Sequence, residues 1–144
     1  MSAKINQADL NKLNKKIANL KLYSKKGLST EVGRTAMEIV GRAKGAAVKD
    51  TGNLAQQIAT ETSGKGIDII SRAKYSPYVE FGTGDEVKLT DMLELGIKES
   101  YAAQFKGASQ DRVHLPARPF FFSSARIGFK NMLKRIKKQL KRMT

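Results

Sequence analysis

The sequence predicts an α+β fold in which helices pack on one face of a small antiparallel β-sheet and a long basic helix closes the chain. Three observations predict it. Apolar residues recur at three- and four-residue spacings in two N-terminal segments and again at the C-terminus, the period drops to two between Ile58 and Ser71, and Gly/Asn/Asp turn chemistry separates the two regimes. With 144 residues, 40% hydrophobic and 28% charged, the chain is apolar enough to fold around one core. Residues 1–144 are therefore read as a single domain.

Leu10, Leu13, Ile17 and Leu20, spaced between Lys and Asn, predict a first helix near Gln7–Leu22 with a narrow apolar stripe. Residues 1–27 are that helix and its linker, with a loop from Ser24 to Leu28. Ser29 or Thr30 then caps a second helix over Glu31–Val48, about 27 Å long at 1.5 Å per residue. Its stripe runs Val32, Ala36, Ile39, Val40, Ala43, Ala47, and the small residues imply close packing. Asp50-Thr51-Gly52-Asn53 ends it, because Gly and Asn tolerate left-handed backbone. Ile58, Thr60 and Thr62 alternate with Ala59 and Glu61, and Ile67, Ile69 and Ser71 with Asp68 and Ile70. Ser63 to Gly66 joins the two runs, which predicts a β-hairpin. Tyr75 to Gly84 reads as a short helical turn followed by a loop, completing a helix-plus-hairpin core over 28–84.

Residues 85–116 read as a long loop or insertion. Leu89, Met92, Leu93, Leu95 and Ile97 form a candidate short helix there, and Tyr101 to Gln110 an exposed loop. Such excursions are more often functional or ordered by a partner than inert. The last segment, 117–144, is an amphipathic helix with Pro119 in its first turn. Phe122, Ala125, Phe129, Met132, Leu133, Ile136, Leu140 and Met143 share one face, which is expected to bury against the core.

Composition narrows the function classes. There is no run of 18 apolar residues and no signal-peptide core, so a soluble product made in the cytoplasm is expected. Cysteine is absent and histidine occurs once, at His114, which leaves no thiol chemistry and little for a zinc site. Asp50-Thr51-Gly52 matches the aspartic-protease triplet, but a helix precedes it where that site needs a strand, so it reads as a turn. Gly64-Lys65-Gly66 and Gly82-Thr83-Gly84 lack the endings of phosphate-binding loops and also read as turns. No catalytic constellation emerges, and neither enzyme activity nor a cofactor is expected.

The net charge of +14 is concentrated at the C-terminus, where residues 111–144 hold ten Lys/Arg against Asp111 alone. Arg126, Lys130, Lys134, Lys137, Lys138 and Lys141 form a basic helix face. Three readings fit it: a solvated surface, contact with an acidic partner, or electrostatic contact with DNA phosphates. The main rival function is thus a non-specific nucleic-acid-binding basic protein. No recognised nucleic-acid motif accompanies the charge.

Three separated blocks carry a resemblance. They are Asp50-Thr51-Gly52-Asn53-Leu54 at the end of a helix, Tyr75-Ser76-Pro77-Tyr78-Val79-Glu80-Phe81-Gly82-Thr83, and Ala117-Arg118-Pro119-Phe120 leading into the terminal helix. In order and spacing, over roughly residues 28–140, the chain resembles the tail-completion or head-tail joining proteins (minor tail components) of long-tailed double-stranded DNA bacteriophages. It departs from them at Val48-Lys49, where a Pro is common, at Ala55, where a basic residue is common, and in a longer stretch between Gly84 and Ala117.

The resemblance implies an α+β structural protein of the virion, forming a ring, usually a hexamer, at the neck end of the tail tube. Its implied partners are copies of itself, the tail-tube protein and a neck or head-completion protein, with transient contact to genomic DNA and none to a membrane. Ring closure needs heterologous contacts, for which the hairpin and 85–116 are the candidates. Within the motif, Arg118 is expected to bridge to Glu80 and tie the Gly82 loop to the last helix.

Overall fold

In the computed structural model the described residues are 6–64, 66–84, 93–94, 96–106 and 114–143. Helix α1 spans Gln7–Leu22, with the Asn6 side chain accepting the Ala8 N–H as its cap. Helix α2 spans Leu28–Ala46. The loop expected between them is corrected: Tyr23–Gly27 is a π-helical stretch, and the chain is helical from Gln7 to Ala46. The Leu28 N–H bonds to the Tyr23 carbonyl, one residue beyond the α-helical partner. The polar residues that suggested a loop and a cap bond back into the helix instead, Ser24 Oγ donating to the Lys21 carbonyl and Thr30 Oγ1 to that of Lys26.

After the turn at Gly52 (φ 73°), a single helical turn α3 (Asn53–Gln56) leads into the hairpin of β1 (Ile58–Ser63) and β2 (Gly66–Ser71). The strands are antiparallel, the hairpin that the alternation predicted, with register from Ile58 opposite Ser71 to Ser63 opposite Gly66. α4 spans Ser76–Phe81 and α5 Glu99–Lys106. α5 corrects the exposed loop read from Tyr101: Glu99, Ala102, Ala103, Gln104 and Lys106 are all strong helix formers. The short helix expected around Leu89, Met92 and Leu95 lies outside the described residues, as does 107–113. Ile97 is buried.

The core gathers Val40 and Ala43 of α2, then Ala47, Leu54, Ile58, Ala73 and Phe120, with Ile69, Val79 and Phe121 packed on it. α2 lies over the hairpin, and α6 (Phe122–Met143) runs antiparallel to α2, with Gly128 on Ile39 and Arg135 on Glu31. The burial expected along α6 holds only at its start, where Phe120 is fully buried and Phe122 stacks on Phe81 at 5.7 Å. Beyond that the expected face is not buried: Phe129, Leu133 and Leu140 are exposed. Placement supplies the reason: α6 packs along α2 and not on the hairpin, so Phe129, only about 11 Å from the helix start, is already off the core. The side turned to α2 is small and polar instead, along Ser124, Gly128, Asn131 and Arg135.

Close approach of the two long helices depends on Gly128, because a Cβ there would collide with the fully buried Ile39 side chain. Gly128→Ala is therefore expected to cost about 1–3 kcal/mol as the helices are pushed apart. A urea midpoint equal to that of the unsubstituted chain would contradict this.

Candidate assembly site

The second and third motif blocks meet along α4. Pro77 sits in the first turn of α4, where its missing N–H leaves no bond unmade, and Gly82 ends the helix at φ 75°. A Cβ at Gly82 would stand 2.6 Å from the Leu115 carbonyl oxygen and 2.9 Å from the Ala117 nitrogen. Only glycine satisfies both the left-handed backbone and this contact. The extended segment 114–120 can thus lie as a strap against the helix end. It is held by Thr83 N–H to the Leu115 carbonyl (3.0 Å), Leu115 N–H to Thr83 Oγ1 (2.9 Å) and Arg118 N–H to the Val79 carbonyl (2.8 Å).

Glu80 completes the junction. Its buried carboxylate accepts three successive backbone N–H groups, those of Phe120 and Phe121 on Oε2 (2.7 and 2.8 Å) and that of Phe122 on Oε1 (3.0 Å). Those of Phe121 and Phe122 are among the donors that a helix N-terminus leaves without intrahelical partners. A carboxylate there answers both the hydrogen bonds and the positive end of the helix dipole. The expected Glu80–Arg118 ion pair is therefore corrected: no ion pair joins them, Arg118 is exposed, and its main chain makes the link to α4. Pro119 is likewise corrected, since it lies in the strap and the helix starts at Phe122. The N–H groups clamped by Glu80 fix that start.

The first block joins the others through Asn53, whose Nδ2 donates to the Tyr75 hydroxyl (3.2 Å). The motif residues then divide by direction. Leu54, Glu80, Phe81 and Phe120 are buried and hold the junction, while Ala117 and Pro119 lie exposed in the strap. Asp50, Thr51, Tyr75, Tyr78 and Arg118 line an open cavity of about 600 Å³. Exposed tyrosines beside an arginine are the side chains that anchor protein contacts through large, rigid, amphipathic area.

His114 packs its ring on Gly84. Among the described residues, no group of three or more His, Cys, Asp or Glu could hold a metal ion, and no helix is long and apolar enough to cross a membrane.

Arg126, Lys130, Lys134, Lys137, Lys138 and Lys141 are all exposed on α6. Arg135 is the exception in that series, and the sequence reading did not single it out. Its guanidinium reaches Glu31 (Nε to Oε2, 2.7 Å), Glu38 (Nη1 to Oε2, 2.9 Å) and the Thr35 hydroxyl (Nη2, 2.8 Å), pinning α6 to α2. The spacing of Glu31, Thr35 and Glu38, at i, i+4 and i+7, carried the signal: three polar groups on one helical face otherwise lined for burial.

Comparison with known families places this arrangement. Residues 9–82 match the family described as "Bacteriophage HK97-gp10, putative tail-component". The match covers more than half of the chain, which belongs to this family of phage tail components. No curated protein and no solved structure matches the chain. The matched segment holds the first two motif blocks up to Gly82, and Thr83, the strap and α6, which complete the junction, lie beyond it.

Proposed function

We propose that this protein is the tail-completion, head-tail joining component of its phage. It acts as a ring, usually of six copies, between the end of the tail tube and the neck. The observation that carries the reading is α1: it has the apolar stripe of a packed helix, Leu10, Leu13 and Ile17, yet holds no buried residue. A helix without a core of its own is an assembly element, and a closed ring needs one surface to meet a different one on the next copy.

The hairpin is the complementary surface. Glu61 and Asp68 stand directly opposite each other on it, a like-charge pairing that disfavours the isolated hairpin and is only partly answered by Arg72 at 2.6 Å. Lys12, Lys15 and Lys21 make α1 a basic match for that acidic patch. The basic face of α6 points away from the channel in this arrangement, because cations lining the lumen would retard passing phosphates.

Immunogold microscopy of intact particles and of separated heads and tails is expected to label the neck or the head-proximal end of tails. Absence of label from all of them would overturn the placement. Since the chain has no native cysteine, Leu13→Cys with Thr62→Cys tests the ring contact cleanly. Oxidised particles should yield a ladder of cross-linked copies, and monomer alone would rule this contact out.

A further inference from the structure

Both long helices carry apolar stripes that continue beyond their buried residues. On α2 the buried series Val40, Ala36 continues to Val32 and Leu28, which are 40% and 37% exposed. On α6 the series that starts at part-buried Phe122 and Ala125 continues to Phe129 and Leu133, 51% and 54% exposed, with Met132 and Ile136 beside them. At about 100° per residue, Met132 and Ile136 point roughly 50° and 90° away from the Gly128–Arg135 line that faces α2, Phe129 about 110° and Leu133 about 150°. Met132 and Ile136 thus floor an apolar trough beside α2, and Phe129 and Leu133 form its outer wall.

Charge selects what fills it. α6 contains no acidic residue, and Arg126, Lys130 and Lys137 follow next around the helix from Leu133. The carboxylates of α2 on this side, Glu31 and Glu38, are already taken by Arg135. A second copy's α6 would set cations against cations, and so would α1, which has four lysines against Asp9. A phosphate backbone would satisfy the rim and leave the phenyl and isobutyl groups at the centre unmatched.

We infer that the trough is the docking site for an amphipathic helix with acidic flanks, presented by a partner protein of the particle. Apolar residues at i, i+3, i+4 and i+7 of that helix would close a three-helix layer over Phe129 and Leu133, and its Asp/Glu would meet Arg126, Lys130 and Lys137. The inference rests on the assembly reading only for the partner's being a protein.

The test uses the full chain and fluorescence anisotropy with two synthetic helical peptides. Both carry Leu at i, i+3, i+4 and i+7, one with Glu at the flanking positions and one with Lys. The Glu peptide is expected to bind with a Kd on the order of micromolar. Phe129→Ser and Leu133→Ser, both surface changes that leave the melting temperature in place, should each weaken it at least tenfold. Lys130→Glu with Lys137→Glu should shift preference to the Lys peptide. Equal binding of the two peptides, or binding indifferent to Phe129 and Leu133, overturns the inference. So does Leu133-dependent binding to phosphatidylserine vesicles without binding of either peptide. The assay needs no virion, so its failure is separable from a failure of the neck placement, which immunogold reads.

Discussion

Glu80→Ala is expected to lower the melting temperature by roughly 10 °C or more, at a few degrees per kcal/mol for a chain of this size. The substitution strands three backbone N–H groups, of which that of Phe120 is fully buried. A hydrogen bond to a charged acceptor is worth about 1.5–3 kcal/mol, and removing the acceptor leaves each donor to meet its desolvation cost alone. Partial hydration of the Phe122 N–H softens the loss, so about 4 kcal/mol is the expected total. Glu80→Gln should fall between: its one remaining carbonyl oxygen can keep the Phe120 and Phe121 bonds, but the amide then opposes the Phe122 N–H as donor against donor. Arg118→Lys is the control, since the exposed Arg118 joins α4 only by its main chain, and its melting curve should overlay that of the unsubstituted chain. Differential scanning calorimetry of the three variants decides the matter. A Glu80→Ala protein melting within about 2 °C of the original would show that the clamp is not what fixes the start of α6.

The clamp also shows where the sequence could be read and where it could not. Period-two alternation gave the two strands and the turn between them, and the register followed only from the structure. The helical period of Leu10, Leu13, Ile17 and Leu20 gave α1. The three motif blocks were legible as blocks, but the pairing drawn inside them was not, since Glu80 next to Arg118 in a motif suggests an ion pair and nothing local reveals three main-chain donors forty residues away. The junction at Tyr23–Gly27 escaped for a related reason. Ser24, Lys25, Lys26 and Gly27 read as a loop by propensity, yet Gly27 adopts φ −65° and the helix simply continues. Amphipathicity misled most on α6: it identified an apolar face correctly, and an apolar face left exposed has the same composition as one packed on the core.

Arg135 carries the second large effect. Arg135→Met keeps much of the side-chain volume but leaves Glu31, almost buried, and Glu38 without their shared cation, and should cost about 3–5 kcal/mol. The same substitution combined with Glu31→Met and Glu38→Met removes all three charges and should recover much of that loss, because the penalty lies in the uncompensated carboxylates and not in the absence of the pair. Acid titration tests the network from the other side. Hydrogen bonding from Asn131 foremost, then from Arg135 and Arg42, holds the Glu38 carboxyl below its ordinary value of 4.5, against the opposing effect of burial. A depressed folded pKa means the unfolded chain takes up the proton first as pH falls. The contribution of Glu38 is therefore complete above about pH 4.5 and is lost as pH drops through its lower folded value. Urea midpoints measured from pH 6 down to pH 3 should thus fall with acid in the unsubstituted chain and fall less steeply in Asn131→Ala, which lacks the leading cause of the shift. Parallel curves for the two would mean that the Asn131 bond is not what holds the Glu38 carboxyl low.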